Sequence, residues 1–232
     1  MSELPSPTVD LIVLAGGRGS RLGGALKPAI EVAGRTLLSR VLDARPEARH
    51  TVVVGPPAAR PAAGTLTPAG ETATTSALIW ALEDPPFGGP VAGLAAGIAA
   101  LEAQVEANVE EPADWLLVLA CDLPWGADAA RLLVTMASAV EQLGGHTEGV
   151  HLKDYNGHAQ WLAAIYRTPA LRAAVDRLGD RVHGASMRDL LAGMKLGGVL
   201  DESESSVDVD TWQDVESSTA RLTGAPEARP EE

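Results

Sequence analysis

A glycine-rich loop that directly follows an apolar strand constrains this chain more than any other feature. The strand ends at Leu14, and residues 15–24 are rich in glycine. Glycine lets the backbone approach an anion closely, because no Cβ is in the way, and successive N–H groups can form an anion-binding nest. Arg18, Arg21 and Lys27 add positive charge that backbone dipoles cannot supply. The loop therefore predicts a polyphosphate site behind the first strand of an α/β fold.

Two familiar phosphate loops do not fit this pattern. A Walker loop needs Ser or Thr after its lysine, but Pro28 follows Lys27. A Rossmann fingerprint needs a third glycine where Leu22 stands, and an acid after the second strand, which ends at Val54 without one. A purely structural glycine turn is the remaining alternative, and the clustered cations argue against it.

Composition narrows the class of protein. The chain has 232 residues, of which 46% are hydrophobic, enough for one sizeable core. The formal net charge of −13 argues against nucleic acid or an anionic membrane as a partner, since both require an extended basic surface. The chain has neither an apolar run near membrane-spanning length nor a secretory leader, so we expect a cytoplasmic protein. The single cysteine, Cys121, is expected to be a buried, inert thiol.

Short apolar runs alternate with longer amphipathic ones, which indicates a mostly parallel sheet covered by helices. We predict an α/β fold with one Rossmann-like domain at residues 9–218, and flexible tails at 1–8 and 219–232. The predicted strands are 10–14, 51–54, 78–82, 115–119, 149–152, 161–166, 195–199 and 206–209. The predicted helices are 36–44, 91–105, 128–142, 169–178 and 186–192.

Asp122 is the strongest single candidate for chemistry. It follows five consecutive apolar residues, 116–120, so a buried strand delivers it to the ligand-binding edge of the sheet. A carboxylate emerging from such a strand usually has a cation to bind. The alternative is that Asp122 caps the next helix, although it stands a few residues early for that position.

Asp208 and Asp210 form a second acidic pair. If the segment is a strand, their side chains share one face, while Val207 and Val209 point into the core. Either acid could complete a metal site or contact an acceptor. Asp210 could equally be the N-cap of a helix that starts at Thr211.

Five segments in order resemble the nucleotidyltransferases with an α/β core, and most closely the molybdenum cofactor guanylyltransferases. The segments are the loop L-A-G-G-x-x-x-R-x-G-G-x-x-K, Leu-Glu-Asp at 82–84 before G-P-V-A-G-L at 89–94, L-V-L-A-C-D-L-P at 117–124, Y-N-G-H-A-Q at 155–160, and V-D-V-D-T at 207–211. From the first segment to the last, the resemblance runs from Leu11 to about Val215, which is nearly the whole chain.

This resemblance implies a role for each matching position. Arg21, Lys27 and Asp122 are the implied catalytic residues, and Asp122 with Asp210 would hold Mg²⁺. The implied nucleotide-binding residues are Leu14, Ala15, Gly16, Gly17, Arg18, Gly19, Lys27, Gly55, Asp84 and Asp122. Asp84 would read the base. The chain departs from the family pattern at Leu26, which replaces an acid before the lysine, and at Gly55, which replaces a side-chain amide.

The implied reaction is transfer of GMP from GTP to molybdopterin, with release of pyrophosphate. The alternatives are a cytidylyltransferase, another transferase with a different phosphorylated acceptor, and a nucleotide-binding regulatory module without turnover. Molybdoenzyme maturation proteins are candidate partners, and we expect a monomer or a weak homo-oligomer.

Overall fold

The computed structural model describes residues 7–17, 20–64 and 77–225. Within these ranges a seven-stranded sheet and a small two-stranded hairpin are surrounded by helices. The strands are β1 (Val9–Leu14), β2 (Glu31–Val32), β3 (Arg35–Thr36), β4 (Thr51–Val54), β5 (Ile79–Ala81), β6 (Trp115–Ala120), β7 (Gly149–Lys153), β8 (Ala159–Arg167) and β9 (Leu196–Leu200). The helices are α1 (Leu37–Val41), α2 (Pro90–Asn108), α3 (Gly126–Gln142), α4 (Thr168–Leu178), α5 (Met187–Leu190) and α6 (Trp212–Thr223).

The order of strands in the large sheet creates the ligand-binding edge. The order is β5-β4-β1-β6-β8-β7-β9, and β8 alone runs antiparallel to its neighbours, so the predicted mostly parallel α/β sheet is confirmed. The chain passes from β1 to β4 and β5 on one side, then returns to β6 on the other side. The carboxyl ends of β1 and β6 therefore flank a topological switch point, where open α/β sheets bind ligands.

Alternation along β1 divides the core between the two faces of the sheet. Leu11 and Val13 pack on the face covered by α1 and α3, whereas Ile12 and Leu14 pack on the face covered by α2 and α4. Gly97 lets α2 lie close to the sheet, because a Cβ at that position would be 2.8 Å from Cγ2 of Ile12. Both faces of β1 are thus buried, as expected for a central strand of a parallel sheet.

The predicted strand at 206–209 is wrong. Buried Asp201 accepts hydrogen bonds from Ser203 Oγ at 3.0 Å, Ser205 Oγ at 2.9 Å and Ser206 Oγ at 2.7 Å, and these bonds hold the segment in turns. Val209 is buried, but Val207 is 40% exposed, so the alternating apolar pattern does not correspond to alternating burial. The segment is attached to the sheet by one backbone hydrogen bond, from Val209 N to Asp122 O at 3.0 Å.

The end of the predicted domain also needs correction. Residues 219–223, assigned from the sequence to a tail, form the last turn of α6, which ends before Gly224 in the left-handed conformation. Thr219 Oγ1 accepts a hydrogen bond from Ala33 N, which anchors this turn to the β2–β3 hairpin. Residues 1–6 and 226–232 lie outside the described residues. Every described helix falls short of the length and apolar character needed to cross a bilayer.

Candidate active site

A cleft of about 340 Å³ opens at the carboxyl ends of β1 and β6, at the switch point of the sheet. Backbone from the glycine loop forms one wall, the start of α2 forms another, and the end of β6 forms the floor. The lining residues are Leu14, Gly16, Gly17, Val54, Glu83, Phe87, Gly89, Pro90, Gly93, Ala120, Cys121, Asp122 and Leu162.

The glycine loop presents bare backbone to this cleft. A Cβ on Gly16 or Gly17 would meet no atom within 4 Å, and Gly17 has a φ of +122° that only glycine adopts readily. Leu14, Gly16 and Gly17 line the cleft, whereas the side chain of Ala15 is buried in the core. Their predicted contacts with nucleotide stay predictions. Arg18 and Gly19 lie outside the described residues, so their predicted contacts stay predictions.

Lys27 projects from a short 3₁₀ turn, Lys27–Ala29, whose second residue, Pro28, is buried. Its Nζ lies 2.6 Å from Asp122 Oδ2 and 2.5 Å from Asp210 Oδ1, and its side chain is 12% exposed. Burial acts to lower the pKa of Lys27, but the charges and hydrogen bonds of Asp122 and Asp210 together raise it well above its usual value. The orientation that an acid at position 26 would give is thus supplied by carboxylates distant in sequence.

Asp122 is the second residue beyond β6 and follows Cys121, whose N–H donates to Leu14 O at 3.0 Å. Its Oδ2 faces Lys27, and its Oδ1 is buried without a hydrogen-bond partner among the described residues. The helix that follows has Trp125 as its N-cap and no side-chain cap bond. Asp122 is therefore not a helix cap, and its orphaned oxygen needs a cation or donor that the described residues do not supply.

Asp210 belongs to the same cluster and is not a helix cap either. Thr211 caps α6 and forms a capping box with Asp214, so the alternative cap role for Asp210 is wrong. The two oxygens of Asp210 instead accept from Lys27 Nζ and from Arg21 Nη1, the latter at 3.1 Å. Asp122, Asp208 and Asp210 each bring a carboxylate oxygen to within 4.8 Å of the others.

Asp208 is the exposed member of this acidic cluster. Partial burial of its carboxylate and the negative charges of Asp122 and Asp210 raise the pKa of Asp208 above its usual value. Carboxylate oxygens are the ligands that hard divalent cations prefer. The donor set and the orphaned Oδ1 of Asp122 therefore fit a divalent cation at this edge of the sheet.

A small apolar cluster holds the acids and the cations in register. It consists of Leu22, Ile30, Val32, Leu37 and Val209, all nearly or fully buried. Leu22 follows Arg21 directly, Ile30 lies three residues after Lys27, and Val209 separates Asp208 from Asp210. Burial of these side chains therefore brings the two cations against the last loop of the domain.

Gly55 and Asp84, which the family resemblance implies as nucleotide-binding residues, are not among the residues that line this cleft. Gly55 is buried, and a Cβ there would be 2.8 Å from Ala15 O, so the position has no room for the amide found in the family. Asp84 is exposed and does not line the cleft, whereas its neighbour Glu83 does. Glu83 Oε1 accepts a hydrogen bond from Phe87 N at 3.1 Å. The contacts predicted for Gly55 and Asp84 stay predictions.

Two further lining residues escaped the sequence analysis. Phe87 is the only phenylalanine of the chain and stands 62% exposed at the rim, and Leu162 reaches the cleft from β8. A lone aromatic residue among glycines and prolines was the signal available for Phe87. Cys121 also lines the cleft, and the structure confirms that its thiol is buried. Burial and the adjacent Asp122 charge raise its pKa, in keeping with the expectation of an inert thiol.

Comparison with known proteins identifies the family. Residues 11–198 match the model of the MobA-like NTP transferase domain. A curated molybdenum cofactor guanylyltransferase from Rhodopseudomonas palustris (strain BisB5) is 54% identical over 37 residues, a segment that spans 16% of this chain and 18% of that relative.

Solved structures share the fold at low sequence identity. Molybdopterin-guanine dinucleotide biosynthesis protein A from Archaeoglobus fulgidus has a TM-score of 0.61 at 19% identity, over 93% of this chain and 99% of that one. The 4-diphosphocytidyl-2C-methyl-D-erythritol synthase from Anaerococcus prevotii has a TM-score of 0.63 at 14% identity, over 94% of this chain and 100% of that one. Because the family model matches residues 11–198, most of its length, this chain belongs to the MobA-like NTP transferase domain family.

Proposed function

We propose that this chain is a Mg²⁺-dependent nucleotidyltransferase that transfers GMP from GTP to a molybdopterin-type acceptor and releases pyrophosphate. The observation that carries this proposal is the cluster of Lys27 and Arg21 with Asp122 and Asp210, which Asp122 connects to the cleft lined by the bare backbone of Gly16 and Gly17. It combines cations for a triphosphate, carboxylates for a divalent metal and N–H groups for phosphate oxygens at one edge of the sheet.

In the proposed reaction an oxygen of the acceptor's terminal phosphate attacks the α-phosphorus of the nucleotide in line. The new P–O bond forms as the bond from the α-phosphorus to the bridging oxygen breaks, and the electron pair leaves on pyrophosphate. Lys27 and Arg21 stabilise the charge that grows on this leaving group. When bound, Mg²⁺ neutralises phosphate charge, and Asp122, Asp208 and Asp210 are the residues that would hold it.

A cytidylyltransferase is the second candidate. The similarity to the Anaerococcus prevotii synthase favours it, because that fold match is as extensive as the match to the Archaeoglobus fulgidus protein. The residues that grip phosphate do not read the base, so both activities are compatible with the same cluster. A regulatory module without turnover differs from both enzymes, because it would bind nucleotide without releasing pyrophosphate.

The test is to incubate the protein with Mg²⁺ and molybdenum-free or molybdenum-loaded pterin. Each of the four ribonucleoside triphosphates is added in a separate reaction. Pyrophosphate release and the mass of the dinucleotide product identify both substrates. GTP with pterin should give the guanine dinucleotide. A cytosine dinucleotide would establish the second candidate, and no pyrophosphate with any triphosphate would contradict both enzymatic functions.

Asp122→Asn provides the mutational test of the same proposal. Removal of a group that organises transition-state charge should lower turnover by about a hundredfold or more, because such groups contribute roughly 3 kcal/mol. The matched control is Asp43→Asn, which removes a carboxylate that pairs with Arg35 on the surface at 2.8 Å. If Asp122→Asn keeps near-wild-type turnover at limiting Mg²⁺, Asp122 is not a ligand of the metal.

A further inference from the structure

The ammonium group of Lys27 bridges the two carboxylates that are best placed to bind a metal. Its Nζ is 2.6 Å from Asp122 Oδ2 and 2.5 Å from Asp210 Oδ1. We propose that Lys27 occupies the cation position of the nucleotide-free protein, so that a divalent metal binds tightly only when a nucleotide draws Lys27 away. This inference rests on the proposed function, because it assigns Lys27 a second role at the same site.

Competition follows from charge and space. Lys27 and Arg21 already contact both oxygens of Asp210, so a metal ion held there together with the unpartnered Oδ1 of Asp122 would need an oxygen that a cation must first release. A metal ion and the Lys27 ammonium at these carboxylates would also repel each other. The side chain of Lys27 is 12% exposed and that of Asp122 is 16% exposed, so solvent screens this repulsion poorly. Lys27 and the metal therefore exclude each other from this pair of carboxylates.

The nucleotide is the partner that can relieve this competition. In its absence three carboxylates, Asp122, Asp208 and Asp210, face two cations, Lys27 and Arg21. A triphosphate offers both cations a denser negative charge than the carboxylates do. When they move to it, the carboxylates lose their partners and gain affinity for the metal that accompanies the nucleotide. The two ligands thus increase each other's affinity, because coupling between sites is reciprocal.

The local structure allows this exchange without a change in the fold. Buried Pro28 and the hydrogen bond from Ile30 N to Lys27 O at 3.2 Å fix the backbone at Lys27. The side chain has a flexible four-carbon stem, so its ammonium can move while its Cα stays in place. Arg21 is 73% exposed on its own turn and is equally able to change partners.

The experiment measures binding of Mn²⁺ alone to the full-length, nucleotide-free protein by electron paramagnetic resonance. Wild type should bind weakly, and Lys27→Met should bind roughly tenfold more tightly or better, because one positive charge leaves the carboxylates. Arg35→Met is the matched control: it removes a surface cation paired with Asp43 and should bind like wild type. The double variant Lys27→Met/Asp122→Asn should lose the gain.

Equal Mn²⁺ affinity in wild type and Lys27→Met would overturn the proposal, as would a gain that survives in the double variant. Lys27→Gln, which keeps a hydrogen-bond donor, replaces Lys27→Met if the latter does not fold. As a second readout, Mn²⁺ should raise the melting temperature of Lys27→Met but not of wild type. Neither measurement uses nucleotide or turnover, so a failure of the proposed reaction and a failure of this inference give different results.

Discussion

Gly55 lies against Ala15 so closely that a Cβ on Gly55 would stand 2.8 Å from the carbonyl oxygen of Ala15. The two residues follow the neighbouring strands β4 and β1, and Ala15 N donates to Val54 O at 2.7 Å. Gly16, the next residue, is exposed and faces the cleft. The missing side chain at Gly55 therefore lets β1 continue into the glycine-rich loop along this path.

Gly55→Ala should affect stability, whereas Gly16→Ala should affect nucleotide binding. The Cβ on Gly55 overlaps backbone, so Gly55→Ala should lower the free energy of unfolding by about 1–3 kcal/mol. The Cβ on Gly16 meets no atom within 4 Å, so Gly16→Ala should keep its stability but weaken nucleotide binding by filling the cleft. Urea denaturation and nucleotide titration measure the two effects. Wild-type affinity in Gly16→Ala would show that phosphate does not approach this backbone.

Lys27 and Arg21 should differ in their contribution to stability. Lys27→Ala leaves Asp122, which is 16% exposed, without its cation, and this should cost on the order of 3 kcal/mol. Asp210 is 40% exposed and keeps its contact with Arg21, so it should add little to this cost. Arg21 is 73% exposed, so the loss of its ion pair with Asp210 should cost less than about 1 kcal/mol. Urea denaturation of both variants tests this difference. In steady-state kinetics both should mainly lower kcat, and a pure rise in KM would show that they only bind phosphate.

Base selectivity should depend on Glu83 more than on Asp84. Guanine offers N1–H and N2–H donors to one carboxylate, while adenine presents an acceptor at N1 and cytosine one at N3, a mismatch worth roughly a hundredfold in kcat/KM. Because Glu83 lines the cleft, Glu83→Gln should erode the GTP/ATP ratio, and the adjacent Asp84→Asn is its matched control. Erosion by Asp84→Asn alone would restore the assignment implied by the family resemblance. A wild-type preference for CTP would favour the cytidylyltransferase.

Asp201 should make the last loop sensitive to acid. Burial acts to raise the pKa of Asp201, but hydrogen bonds from Ser206 and Ser205 hold it below its usual value. A folded pKa below the unfolded one adds stability at neutral pH, and this stability disappears as the pH falls below about 4. Asp201→Asn should therefore cost about 2–3 kcal/mol at pH 7 and less at pH 3.

Urea denaturation of Asp201→Asn at both pH values checks this expectation, with the exposed Asp176→Asn on α4 as the control. An equal loss of stability at pH 7 and pH 3 would show that ionisation of Asp201 is not the cause. The same loop carries Asp208 and Asp210. The double variant Lys27→Met/Asp201→Asn should therefore bind Mn²⁺ more weakly than Lys27→Met alone.

The central strands could be predicted from sequence because burial on both faces demands unbroken apolar runs. β1, β4 and β6 each lie within one residue of the predicted bounds. The conformation of the segment at 206–209 could not be predicted in this way. Its two valines have different environments: Val209 packs in the small apolar cluster, whereas Val207 faces solvent. The side chain of Asp201 decides the conformation there, and pattern alone does not reveal such a tertiary hydrogen-bond acceptor.

The site was predictable where one strand end supplies the residue and unpredictable where distant segments meet. Asp122 follows from the end of an apolar strand, but its contact with Lys27, and that of Lys27 with Asp210, depends on the fold. Lys27 and Asp210 are 183 residues apart. Glu83 and Asp84 are adjacent acids, and only the path of the backbone shows which one lies in the cleft.

The capping box of α6 has a consequence for how this family member can vary. Asp214 Oδ2 accepts from Asp210 N at 3.0 Å and from Thr211 N at 2.7 Å, so the helix start depends on the backbone of residue 210 and not on its side chain. The side chain at 210 can therefore be exchanged, for example by Asp210→Asn, while α6 keeps its starting point. The charge that faces Lys27 and Arg21 can thus change at this position without moving the start of the last helix.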